Sequence, residues 1–359
     1  MTWVYDPIAT PSAFDVRTGP TAPVVAVWLW TLAALVFLMV LVGGATRLTE
    51  SGLSITQWKP LSGVIPPLSQ ADWQAEFENY KKIPQYAQVF PDMDLAGFRF
   101  IFFFEWSHRL LGRLIGLATF LPMVFFWAKG MLPSALKPKL VGVLALGGLQ
   151  GFVGWWMVKS GLVDRAEVAQ ERLALHLLLA SMTFAILVWL AASLNSRPPA
   201  VPAPPRRLFG VALVFVVAAL AQIGLGALVA GLRAGRAYNS WPLMDGRFIP
   251  PLDQLTAEAP LWRNFVDNLL TVQFQHRMAA YALLAFALAQ AVYTGVVAGR
   301  SAASRRALAL AGLVAAQAII GITTLLLAVP LWAGLLHQGF AMIVLGMATA
   351  HAQALHQER

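Results

Sequence analysis

Eight stretches of this chain, near 24–43, 98–127, 139–158, 172–193, 208–230, 271–298, 307–328 and 332–353, are apolar for long enough to cross a lipid bilayer. A membrane helix needs about 18–20 largely uncharged residues. In hydrocarbon each backbone N–H and C=O must find its partner within the segment, so such stretches fold as helices. The expected fold is therefore all-α and integral to the membrane. Composition agrees: 58% of the 359 residues are hydrophobic and 12% are charged, about half the charged share of a soluble domain. The first apolar run begins near Pro23, after Asp6 and Asp15, and does not read as a cleaved signal peptide.

The connections between spans differ in character. Those at 128–138, 194–207 and 299–306 carry Lys129, Lys137, Arg197, Arg206, Arg207, Arg300, Arg305 and Arg306 and no acidic residue. The others mix both signs and include two long segments, 44–97 and 231–270. Basic short loops mark the cytoplasmic side, so both termini are expected inside and the long loops outside. The net charge of +9 then reports topology. It gives no aqueous basic face for nucleic acid, because the charges lie on three separate short loops. With no cysteine in the chain, disulfides, Cys-ligated zinc and iron–sulfur clusters are excluded.

The segment SRPPAVPAPPRR, 196–207, reads as a stiff basic linker. It divides the chain into a 1–23 cytoplasmic segment, a four-span half at 24–195, the linker, a second half at 208–353 and a tail at 354–359. The halves resemble one another. GGATRL, Trp58-Lys59-Pro60 and Ile65-Pro66-Pro67 in the first long loop answer VAGLR, Trp241-Pro242 and Ile249-Pro250-Pro251 in the second. EWSHR in span two answers QFQHR in span six, and Leu175-His176 answers Leu336-His337. Repeats with an even number of spans share one orientation, so the expectation is two tandem, same-orientation four-helix bundles. Small-residue runs such as LGGLQGFVG (146–154) and GLGALVAG (224–231) allow close helix approach.

Four of the six histidines fall one each on spans two, four, six and eight, near the end that begins at the long-loop side. At ~1.5 Å per residue they lie no deeper than roughly 15 Å. A single intramembrane histidine can be explained by a hydrogen bond to a neighbouring helix; four at matched depth, paired within each half, point to ligation. Two imidazoles facing across a bundle leave a flat slot, which suits a bis-histidine haem better than tetrahedral zinc. The expected pairs are His108 with His176 and His276 with His337. His351 lies 14 residues beyond His337, but no other span repeats that spacing, and it is read as interfacial; His356 is placed in the tail.

Glu105 shares a helical face with His108 and stands four residues before Arg109. A neutralising Glu105–Arg109 pair would account for it. Span six, however, keeps His276-Arg277 and has Gln273 in place of the acid. That asymmetry favours chemistry in the first half, where a carboxylate accepts a proton or stabilises developing positive charge. Arg109 and Arg277 follow their histidines and suit the propionates of a haem. Arg47 and Arg233 are further candidates, and all four are equally compatible with arginines reaching for the membrane surface. The amphipathic stretch ADWQAEFENYKK, 71–82, is expected to form a short helix that caps the slots or packs at the interface.

Taken together, GGATRLTESGLSITQWKPLSGVIPP, EWSHRLLGR, YNSWPLM and QFQHR resemble the haem A synthase family over about residues 24–353. The resemblance implies an oxidoreductase of a bacterial cell inner membrane that oxidises a ring methyl of haem O to a formyl group. It implies His276 and His337 as axial ligands of a haem b cofactor, His108 and His176 at the substrate haem, and Glu105 as catalytic carboxylate. Haem O synthase, an electron-transfer protein, cytochrome oxidase assembly factors, membrane lipid and a homo-oligomer are the partners it allows. Family members with a cysteine pair in the outer loops differ from this chain. A b-type electron-transfer cytochrome and a haem transporter or chaperone remain the alternatives.

Overall fold

The computed structural model describes residues 22–59, 62–163, 165–195 and 203–358. The expected segment 1–21, Pro60 of the tryptophan motif and residues 196–202 of the linker lie outside the described residues. Eight long helices carry the fold: α1 (Ala22–Leu48), α2 (Leu95–Ala128), α3 (Lys137–Lys159), α4 (Gln170–Ser193), α5 (Arg206–Gly231), α6 (Leu269–Ala298), α7 (Ala302–Leu326) and α8 (Leu331–Gln357). All eight are long and apolar enough to cross a membrane. Among the described residues there is no strand, only an isolated bridge between Met244 and Arg247.

Helices α1, α2, α3 and α4 adjoin one another in a ring, as do α5, α6, α7 and α8. The rings meet where α4 packs on α5 and α8, and α1 on α8, an arrangement compatible with two tandem four-helix halves. Close approach at that seam depends on missing side chains. A Cβ on Gly44 of α1 would fall 1.9 Å from Gln338 Oε1 of α8, and the same glutamine donates to the Val40 carbonyl at 3.0 Å. Hydrocarbon lends no hydrophobic drive between helices, so such packing and hydrogen bonding hold the seam. This also explains why α1 runs to Leu48, past the boundary near 43. Gly44 reads in sequence as the start of the loop, but Gly43 and Gly44 are the small residues on which α2 and α8 close.

Helix α2 is the longest, 34 residues or about 51 Å, well beyond a hydrocarbon core of about 30 Å. Asp94 caps it by accepting from Gly97 N at 2.8 Å. His176, His276 and His337 lie within two turns of the starts of their helices, whereas His108 lies more than three turns in. The additional length of α2 carries Phe98, Ile101 and Phe102 into the first long loop. There the short helix Gln70–Tyr80, closed by a Ser69–Asp72 capping box, buries Trp73, Phe77 and Tyr80 against them. The stretch 71–82 is thus a lid seated on the end of α2. Phe98 is fully buried, its ring centroid 5.1 Å from Phe77 and 5.3 Å from Tyr80.

Phe98→Ala removes the centre of this cluster, a loss of about 3–5 kcal/mol. Trypsin should then cut after Lys81 or Lys82 faster than in wild type. Unchanged cleavage would mean that the short helix is held by something else.

Candidate functional site

Each histidine of the four even-numbered helices is received by the helix before it. Gln150 of α3 meets His176, Gln222 of α5 meets His276, and Gln317 of α7 meets His337. In all three the amide nitrogen lies 3.0–3.1 Å from the ring Nδ1 and donates to the histidine's own carbonyl at 2.9–3.0 Å. Four residues beyond each glutamine stands a glycine against the ring. A Cβ there would lie 2.9 Å from His176 Cε1 at Gly154, 3.1 Å from His276 Cε1 at Gly226 and 2.7 Å from His337 Cε1 at Gly321. The motif is Gln-x-x-x-Gly on one helix for one histidine on the next.

The fourth case keeps half of it. Gly43 of α1 receives His108 with a prospective Cβ 3.0 Å from Cε1, but the residue four positions earlier is Met39. Nδ1 of His108 is buried and has no hydrogen-bond partner among the described residues. Leaving such a group unpaired costs about 1–3 kcal/mol.

The two histidines of the first half face each other, ring centroids 6.5 Å apart and planes inclined by 59°. That is the separation at which two imidazoles each reach a shared metal ion with a bond of about 2 Å. His276 and His337 take the corresponding places on α6 and α8, each ring against a glycine of the preceding helix. All four histidines are half-buried. With Nδ1 engaged or enclosed on the side of the neighbouring helix, Nε2 is the nitrogen left for a ligand. No cluster of three or more His, Asp or Glu side chains stands ready for a metal ion among the described residues. Two imidazoles per slot, glycines where a Cβ would collide, and no third donor fit a group that brings its own equatorial ligands. The residues present therefore fit a haem in each half.

Glu105 is buried and fully engaged. Its Oε2 accepts from Ser54 Oγ at 2.8 Å and Ile55 N at 2.7 Å; its Oε1 accepts from Arg109 Nε at 3.0 Å and Nη2 at 2.6 Å. Arg109 also donates to the Ile55 carbonyl at 3.0 Å. The second half repeats this with different chemistry. Gln273 Nε2 and Arg277 Nη2 both donate to the Tyr238 carbonyl, at 2.6 and 3.0 Å. The expected Glu105–Arg109 pair is present, and in both halves this helical turn pins the opening of the long loop.

Arg47 and Arg233 meet at the seam between halves. Glu167 accepts from Arg47 Nη2 at 2.7 Å and forms an ion pair with Arg233 Nη2 at 2.6 Å, and Glu50 lies 3.0 Å from Arg233 Nη2. The glycine register corrects their alignment. Gly43 and Gly226 are 183 residues apart, and that offset carries Ile55 onto Tyr238 and Trp58 onto Trp241. It carries Glu50, not Arg47, onto Arg233. The backbone agrees, since Glu50 (φ 59°) and Arg233 (φ 53°) both adopt the left-handed conformation just past a helix end, uncommon outside glycine.

His351, expected at the interface, is 1% exposed within α8, with neither ring nitrogen bonded among the described residues. Helix α8 continues to Gln357, past the boundary expected at 353, and His356 packs on Trp189 and Phe209. The glutamines were missed in sequence because runs such as 146–154 and 224–231 read only as small-residue packing; the recurring Gln-x-x-x-Gly of QGFVG, QIGLG and QAIIG was the available signal.

Comparison with known proteins bears on the whole chain. The sequence model of the family described as "Cytochrome oxidase assembly protein" matches residues 26–349. A "Heme A synthase" of Beijerinckia indica subsp. indica is 69% identical over 336 residues, 93% of this chain and 94% of the relative. Proteins of the same name from Methylobacterium sp. and Mesorhizobium japonicum are 57% and 53% identical, covering 97% and 90% of this chain and 96% and 88% of themselves.

Losing a side chain that orients a metal-ligating histidine typically weakens metal binding about 10–100-fold. Gln222→Ala should therefore weaken binding of added haem by that factor, read by titrating purified protein at the Soret band. Gly321→Ala, which drives a methyl into His337, should do the same. Wild-type titrations for both would remove the helix-to-histidine motif from the binding site.

Proposed function

The chain belongs to the haem A synthase family of cytochrome oxidase assembly proteins, and from that membership we propose that it converts haem O to haem A. The conversion turns a ring methyl into a formyl group, so electrons and protons leave the carbon and one oxygen atom is added. The observation that carries this reading is the facing pair His108 and His176, 6.5 Å apart, in a half that also holds an intramembrane acid.

In this proposal His108 and His176 bind the substrate from its two faces and fix its orientation in the first bundle. Glu105, one helical turn before His108, offers a carboxylate to the substrate's edge. Ser54, Ile55 and Arg109 hold both of its oxygens, so the charge stays in place while positive charge develops on the oxidised carbon. His276 and His337 hold a haem b cofactor in the second bundle. Haem supplies redox-active iron there. Held between these two histidines, a haem would supply electron transfer rather than oxygen activation. Arg109 and Arg277 are assigned to propionates; Arg277 Nε has no partner among the described residues.

The basic short loops support a chain with both termini in the cytoplasm of a bacterial cell and the histidine slots toward the outer face of the inner membrane. Haem O synthase, an electron-transfer protein and cytochrome oxidase assembly factors are its proposed partners, with a homo-oligomer compatible.

Haem extracted from cells that make haem O tests the reading. Wild type should yield haem A. Glu105→Gln, which installs the residue type found at the matching position of α6, should retain the fold and accumulate haem O. Haem B alone from wild type would defeat the synthase reading. Haem A at wild-type levels from Glu105→Gln would remove the carboxylate from the chemistry.

A further inference from the structure

Three of the four slot histidines are keyed to a neighbouring helix by a glutamine, and one is not. Gln150, Gln222 and Gln317 each bond both the ring and the main chain of their histidine. To swing away from the slot, His176, His276 or His337 has to break that contact. At His108 the matching position is Met39, whose thioether offers no comparable bond and whose three rotatable bonds adapt to a moving neighbour. Met39 packs against α2 one turn beyond His108, its Cε 3.4 Å from where a Cβ on Gly112 would stand. Nδ1 of His108 is enclosed without a partner among the described residues, so rotation of this ring breaks no hydrogen bond there.

We infer that His108 is the releasable ligand of the substrate site. Met39 in place of glutamine lets it open to admit and discharge haem, while the three glutamines are positioning residues that keep the other ligands closed. The inference rests on the reading that the first half takes haem as substrate. The division matches the traffic each site carries. A resident cofactor is served by two clamped ligands, and a substrate that must leave after each turnover is served by one clamped and one free. His176, clamped by Gln150, keeps hold of the substrate from one face while the other opens.

Carbon monoxide reads this directly, because it binds ferrous haem only where an axial position opens. Full-length protein is purified, loaded with iron protoporphyrin IX and reduced with dithionite. One haem per chain should bind carbon monoxide. Met39→Gln should slow that binding about 10–100-fold, and Met39→Leu, which stays apolar, should leave it at the wild-type rate. Gln222→Met should make the second haem reactive as well. Equal rates for wild type, Met39→Gln and Met39→Leu overturn the inference, as does an unreactive second haem in Gln222→Met. The double variant His108→Ala/His176→Ala separates the two levels. If it retains as much haem as wild type, the first half takes no haem and the proposed function fails with the inference. If it loses one haem while Met39→Gln behaves as wild type, only the inference fails.

Discussion

The structure depends on holding an imidazole still in a medium that gives helices little reason to associate. Lipid tails are as apolar as leucine, so helix contacts have to come from packing and from hydrogen bonds. The Gln-x-x-x-Gly device supplies both at once. The glycine lets the ring approach the neighbouring backbone, with prospective Cβ distances from Cε1 of 2.7–3.1 Å across all four sites. The glutamine, one turn away, fixes the ring's rotation and ties it to its own main chain. The pairing of α3 with α4, α5 with α6 and α7 with α8 is therefore set by the same atoms that position the histidines. Fold and site are one specification in these six helices.

The long loops are anchored one turn from the histidines. Glu105 and Gln273 occupy equivalent positions and bond to the same stretch of loop backbone in opposite senses. The carboxylate accepts from Ile55 N, and the amide donates to the Tyr238 carbonyl. Arg109 and Arg277 reinforce them through the Ile55 and Tyr238 carbonyls. An acid inside the membrane thus has a mechanical partner set as well as a chemical opportunity. The Gln273 comparison, read in sequence as evidence for chemistry alone, acquires a second meaning, since both residue types fasten the loop.

The eight spans were legible because hydropathy and length leave a membrane helix little choice of form. The histidine pairs were legible because ionisable groups stand out against hydrocarbon. Helix ends were less so. Gly44 looks like the start of a loop until α8 is seen to need its small size, and the extra turns of α2 become visible only with Trp73, Phe77 and Tyr80 packed on them. The glutamines were hidden for a different reason. A polar amide in an apolar run has no fixed direction in sequence, and its partner lies 20 to 54 positions away. The pairing of Arg47 with Arg233 failed because two loop openings with similar residues were matched by appearance; the positions fixed by Gly43 and Gly226 give the true register.

Glu50 and Arg233 occupy corresponding places in the two halves and touch each other. A residue that meets its own counterpart lies close to the axis relating the halves. An assembly of two identical first halves would set Glu50 against Glu50 there, and two second halves would set Arg233 against Arg233. Like charges held together away from bulk water repel. The pair therefore makes the two halves complementary rather than interchangeable.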